Sequence, residues 1–200
     1  MKVELQPIFP QEEVDIQNYY YYSTGFSPAE LDKIYADVAL LPFHKASTGM
    51  EDTPAEKEIR TSSIKWIPKV EKWQWLYEKL FGMAVEANNA LWHFDLFTAL
   101  DCIQYTEYYA TEGGHYNWHQ DIGPGPMSKR KVSITVQLSD ADEYEGGELQ
   151  LFKGGDPEKA DIAPRGKGVV FIFPSYMMHR VKPVTKGTRR DRKSTRLNSS

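Results

Sequence analysis

The chain has 200 residues, 24 Lys and Arg against 28 Asp and Glu, and a formal net charge of −4, so it lacks the basic footprint of a nucleic-acid-binding protein. The length suits one domain with a sizeable buried core. A single cysteine, Cys102, excludes an intramolecular disulfide and suits a reducing compartment; with no apolar signal region and no run long enough to span a bilayer, a soluble, cytoplasmic protein is expected.

Residues 1–26 read as mixed, with edge strands at Val3, Leu5 and Ile8 and at Tyr19 to Tyr22. Ser27-Pro28-Ala29-Glu30 then has the form of a helix start: a capping serine, proline at the first helical position and a glutamate closing the box. Leu31, Ile34, Tyr35, Val38 and Leu41 recur at helical spacing until Pro42, which cannot continue the pattern. The polar stretch from His44 to Ile59, with Gly49 and Pro54, reads as a mobile loop, and Arg60 to Ile67 as a strand. Val70, Trp73, Leu76, Tyr77, Leu80, Ala84 and Val85 mark a second amphipathic helix running to about Asn88, its apolar stripe directed at a core.

Beyond Trp92 the period becomes that of strands. Phe94 to Leu100 and Cys102 to Tyr109 are expected strands. Val132, Ile134, Val136 and Leu138 alternate with Ser133, Thr135 and Gln137 in the pattern of a half-buried strand with one polar face. Leu149 to Phe152 and Val169 to Phe173 follow. Gly113-Gly114 reads as a turn, Gly146-Gly147 as a hairpin turn, and Gly123 to Lys131 as a polar loop whose Lys129-Arg130-Lys131 run faces solvent. Two helices followed by many short strands indicate an α+β chain with a mainly antiparallel β core and the helices on one side of it, and such a core can close as a jelly roll.

His119 and Asp121 are two apart. On a strand that spacing directs an imidazole and a carboxylate to one side. His179, just past the apolar strand Val169 to Phe173, can complete the set, and two histidines with one carboxylate and open positions are the facial triad of non-haem Fe(II) oxygenases. His44, His93 and His115 stand outside this spacing and read as ordinary hydrogen-bonded residues.

The ordered set His119-Gln120-Asp121, His179 and Arg189, ten residues later, together with Gly146-Gly147-Glu148 and Phe173-Pro174-Ser175, resembles the Fe(II)/2-oxoglutarate-dependent dioxygenases, specifically the prolyl 4-hydroxylase-like family, over roughly Asp101 to Arg189. The resemblance implies the double-stranded β-helix form of the jelly roll, with N-terminal helices packed on one side, and a single oxygenase domain at 1–189: helical and mixed support at 1–93, jelly-roll core at 94–189. It implies Fe(II) held by His119, Asp121 and His179, with 2-oxoglutarate and dioxygen as cosubstrates and ascorbate as an accessory reductant. It gives Arg189 and Tyr109 to the far carboxylate of 2-oxoglutarate, with Tyr105 and Tyr108 as competitors of Tyr109. The product expected is a hydroxylated C–H bond, a prolyl residue of a peptide being the family-level default and a small molecule the other substrate class, with release of succinate and CO2. Trp118 and Tyr105 are candidate substrate contacts, Trp118 serving equally well as core packing.

Residues 190–200 are polar and basic, with almost nothing to bury, and read as a disordered or non-native tail. That reading leaves Arg189 without its supporting strand. It favours an alternative in which the chain is a non-catalytic jelly-roll binding module that keeps a metal site. A zinc hydrolase on the same three ligands is a further alternative, opposed by the absence of an evident glutamate base and of any task for Arg189.

Overall fold

In a computed structural model that describes residues 18–46, 58–96, 98–99 and 102–198, the chain is mostly β, with two α-helices among those residues. Helix α1 (Pro28–Ala39) starts at the expected box: Glu30 N–H donates to Ser27 Oγ while the Glu30 carboxylate accepts from Ser27 N–H at 2.8 Å. Helix α2 (Glu71–Leu91) is three residues longer than its apolar stripe suggests, ending where Trp92 N–H bonds back to the Asn88 carbonyl. The edge strand expected at Val3 to Ile8, and Gly49 and Pro54 of the expected loop, lie outside the described residues.

The strands form two antiparallel sheets. The larger runs β1 (Tyr20–Tyr22), β12 (Val170–Pro174), β8 (Arg130–Gln137), β14 (Val184–Asn198), β6 (Ile103–Tyr109), β4 (Ser63–Ile67), β2 (His44–Lys45), with β5 (Thr98–Ala99) and β9 (Tyr144–Gly146) also paired to β14. The smaller is β11 (Asp161–Ile162), β10 (Leu149–Leu151), β13 (His179–Val181), β7 (His115–His119), β3 (Arg60–Thr61).

Three features differ from the sequence reading. The chain does not fall into a tail at Arg190: its backbone continues as β14, seated between β6 and β8, with Asp191 opposite both Thr106 and Gln137. Backbone hydrogen bonds to two neighbours hold a segment whose composition alone offers no reason to be ordered. Gly146-Gly147 is not a hairpin turn, because β9 pairs with β14 in the large sheet and β10 with β11 and β13 in the small one; the glycines carry the chain from one sheet to the other. The alternating polar residues in the middle of β8 do not face solvent. Ser133, Thr135 and Gln137 are all buried, as are Val132, Ile134 and Val136 on the opposite face.

Alternation along the shared strands divides the interior in two. Val132, Ile134, Val136, Ile103, Tyr105, Val170 and Ile172 pack with Leu31, Ile34, Trp73, Leu76 and Leu80 of the helices. Tyr108, Phe171 and Phe173 turn the other way and pack with Leu149, Leu151 and Val181 of the small sheet. The candidate site lies on this second side.

Candidate metal centre and carboxylate site

His119 ends β7 and His179 begins β13, and the two are direct partners across the antiparallel pair. Asp121 follows β7, fixed by its backbone N–H to the Ser175 carbonyl at 2.9 Å. The ligand atoms of His119, Asp121 and His179 all lie within 4.8 Å of one another, and each histidine Nε2 is 3.7 Å from one Asp121 oxygen.

The hydrogen bonds behind these groups decide which atoms face inward. His119 Nδ1 is 2.7 Å from the Asn117 carbonyl and His179 Nδ1 is 2.9 Å from the Met177 carbonyl. A carbonyl only accepts, so each Nδ1 carries the proton and each Nε2 presents its lone pair toward Asp121. Asp121 Oδ2 accepts from Ser133 Oγ at 2.7 Å, and Ser133 Oγ is 2.9 Å from Ser175 Oγ. Arg130 donates to the Asp121 carbonyl at 3.0 Å. Two oriented imidazoles and a hydrogen-bonded carboxylate, with Asp121 and His179 buried, are a donor set that fits a divalent first-row metal, the outer partners fixing tautomer and ring orientation. The roles of Ser133 and Arg130 were not recognisable from the sequence, where Ser133 reads as the polar side of a half-buried strand and Arg130 as part of a solvated run; Ser175 entered that reading only within Phe173-Pro174-Ser175.

Arg189 is fully buried on β14 and forms an ion pair with Asp191, two residues on. Its guanidinium carbon is 5.4 Å from the ring centroid of Tyr108. Burial opposes the charge of Arg189, but Asp191 and the hydroxyls of Tyr108 and Tyr144 outweigh it and raise its pKa. Arg189 borders a small cavity with Thr135, Gln137, Tyr144, Leu149 and Phe171. Gly147 makes room for it: φ is +64°, and an added Cβ would stand 3.0 Å from Arg189 Cδ and 2.9 Å from Val184 Cγ2, so a side chain there meets both strain and a clash. Phe173 meets His179 edge-on at 4.8 Å and Phe171 at 5.8 Å, which links the histidine cluster to the Arg189 cavity through one aromatic wall.

The tyrosines sort differently from the sequence expectation. Tyr109 does not join Arg189; its hydroxyl donates to Glu107, and burial and that bond push its pKa up to about 12. Tyr105 also donates to Glu107, at 2.7 Å, and packs with the helices, away from the triad. Tyr108, one residue from Tyr109 and therefore on the opposite face, is the tyrosine of β6 beside Arg189, and Tyr144 borders the same cavity. Burial raises its pKa well above the ordinary value, with Asp191 adding to the rise. Trp118 is half-buried: it lies under the Arg180 guanidinium at 4.6 Å and against Phe152 at 5.9 Å, next to His119 on one strand and opposite the neighbour of His179 on the other. His115 bonds the Gly113 and Glu58 carbonyls.

The family model for the 2OG-Fe(II) oxygenase superfamily matches residues 103–197, a span that contains the triad, Tyr108 and Arg189. A PKHD-type hydroxylase of Synechococcus sp. (strain CC9605) is 39% identical over 80 residues, 40% of this chain and 35% of that protein. One from Sphingopyxis alaskensis is 37% identical over 83 residues, 40% and 37% of the two chains. The matched segments thus span little more than a third of these relatives' length. Among solved structures, a Pseudomonas putida prolyl-4-hydroxylase aligns over 92% of this chain and 94% of its own, with TM-score 0.65 and 20% identity. A Trichoplax adhaerens prolyl hydroxylase, determined in complex with a hypoxia inducible factor oxygen degradation domain peptide fragment, aligns over 90% and 84%, with TM-score 0.71 and 16% identity. At these identities the structures speak for the fold; the family model and the hydroxylase relatives show that the matched segment of the chain is similar to the 2OG-Fe(II) oxygenase superfamily and, within it, to PKHD-type hydroxylases.

Proposed function

We propose that this chain is an Fe(II)- and 2-oxoglutarate-dependent dioxygenase that hydroxylates a C–H bond, with a prolyl residue of a peptide or protein as substrate and succinate and CO2 as co-products. The observation that carries the reading is the convergence of His119, Asp121 and His179, each held by its own hydrogen bond, on one point within 4.8 Å. The fold corresponding to this activity is the double-stranded β-helix, with both helices supporting its larger sheet in one domain.

His119, Asp121 and His179 would hold the metal, and Fe(II) with its cosubstrates would supply the oxidative chemistry when bound. Arg189 binds the far carboxylate of 2-oxoglutarate through paired guanidinium hydrogen bonds, with Tyr108 in the tyrosine role first considered for Tyr109. Asp191 must then yield its place against Arg189 to the incoming carboxylate. Phe171 and Phe173, buried beside the Arg189 cavity and against His179, would keep water from that interior and so strengthen charge pairing within it. Peptide recognition is drawn from the similarity to prolyl hydroxylases.

Anaerobic titration with Fe(II) and 2-oxoglutarate, following the weak visible charge-transfer band of the chelate, tests this without a substrate. The band is expected in the wild type and absent in Asp121→Ala. A folded wild type that binds Fe(II) yet shows no band would favour the second reading, a binding module that keeps the metal site, which the Arg189–Asp191 ion pair supports by occupying the cation.

A further inference from the structure

His119 sits at the end of a short strand and is only partly buried, unlike Asp121 and His179, so something other than enclosure must set its ring. Its strand is irregular. β7 pairs with β13 as Tyr116↔Val181 and His119↔His179, so three steps along one strand oppose two along the other. In an unbroken strand, residues three apart project to opposite faces. The extra residue removes that opposition and re-aims the side chain beyond it, as bulges beside functional sites do.

Asn117 pins the irregularity. Its side-chain Oδ1 accepts from Trp118 N–H at 2.8 Å, and its carbonyl accepts from His119 Nδ1 at 2.7 Å. Tyr116 and His119 consequently stack, with ring centroids 3.4 Å apart and planes 12° from parallel. Arg60 lies over the Tyr116 ring at 4.6 Å. Its guanidinium is itself fixed by Ser62 Oγ and Gln104 Oε1, each at 2.8 Å, and the residue is buried.

We infer that Tyr116 is a positioning residue for His119: its ring, backed by Arg60, sets the imidazole plane so that Nε2 faces Asp121 before a metal arrives. The inference rests on the reading of His119 as a metal ligand. It requires the aromatic face of Tyr116 and not its hydroxyl, which separates it from a role in hydrogen bonding to substrate.

The test is Co(II) titration of the metal-free full chain, without 2-oxoglutarate or substrate, following the d–d absorption, with far-UV circular dichroism recorded for every variant. Tyr116→Leu is expected to weaken Co(II) binding about tenfold, the lower end of what removing an outer partner of a ligating histidine costs. Tyr116→Phe should bind within about twofold of wild type, since the ring is retained. Arg60→Met should lose about two- to fivefold, the scale of one cation–π contact. Wild-type affinity in a folded Tyr116→Leu overturns the inference, and so does a Tyr116→Phe as weak as Tyr116→Leu. Should Tyr116→Leu not fold, Asn117→Ala replaces it: weaker Co(II) binding by the folded variant supports the stack, and unchanged binding overturns it. Asp121→Ala separates the two levels. If wild type and Asp121→Ala bind Co(II) alike, the metal reading itself fails and the inference falls with it.

Discussion

The two buried clusters use the same strands and differ in what their side chains can do. On the helix side, Leu31, Ile34, Trp73, Leu76, Leu80, Ile134 and Val136 fill the space with apolar groups. On the side facing the small sheet, Phe171, Phe173 and Leu151 share the interior with Ser133, Thr135, Gln137, Arg189, Asp121 and His179. Burying that many polar groups costs stability unless each is bonded, so the first cluster stabilises the fold while the second holds the chemistry. One residue of β6 or β12 decides between them: Ile172 packs with the helices and Phe173 touches His179.

The sharpest break of this division is at the metal site. His179→Ala should bring turnover to background while leaving the apolar core of the helix side intact; a variant that keeps metal-dependent turnover would remove His179 from the ligand set. On the other side, Leu80→Ala should lower stability by about 3 kcal/mol in denaturant unfolding, as core truncations of leucine do, with no change in the 2-oxoglutarate concentration needed for half-maximal turnover. Arg189→Met should raise that concentration about 10- to 100-fold, the scale of lost hydrogen bonds to a charged group, read by steady-state kinetics in 2-oxoglutarate. Tyr108→Phe should raise it about threefold to tenfold, one hydrogen bond's worth, whereas Tyr109→Phe should leave it unchanged because that hydroxyl is spent on Glu107. An effect of Tyr109→Phe alone would restore the sequence assignment.

The smallest effect lies at the start of α1. Burial pushes the Glu30 carboxyl up, but Lys79 at 2.5 Å and the two Ser27 contacts outweigh it and hold the pKa below the ordinary glutamate value. A depressed pKa contributes stability that is present above the unfolded value and is lost as pH falls through the folded one. Glu30→Gln should therefore destabilise by about 0.5 kcal/mol at neutral pH, the scale of an exposed pair. The difference from wild type should fade below the ordinary glutamate range. Paired thermal melts at neutral and acidic pH would show it, and a difference independent of pH would mean that the charge contributes nothing.

Much of the helix side was legible in the sequence because its signals are local. The Ser27-Pro28-Glu30 box and the stripes of α1 and α2 arise within a few turns of chain. The triad was legible too, since His119 and Asp121 are near neighbours and His179 follows an apolar strand. Which tyrosine of β6 lies beside Arg189 was not. Alternation separates Tyr108 from Tyr109 but does not say which face looks inward, and that depends on which sheet covers each side of β6. The same limit applied to Ser133, Thr135 and Gln137, whose polarity read as exposure until the small sheet lay over them.

What the sequence by itself determined was the set of elements and the chemistry they carry: two amphipathic helices, a run of strands, two imidazoles, a carboxylate and a late arginine. Tertiary structure alone decided that β14 runs on between β6 and β8, that Tyr108 rather than Tyr109 meets Arg189, and that a bulge at Asn117 lays Tyr116 on His119. The reason is physical. Periodicity and capping are properties of adjacent residues, whereas strand order, register and the inward face are set by partners far away in the chain, whose pairing no local pattern specifies.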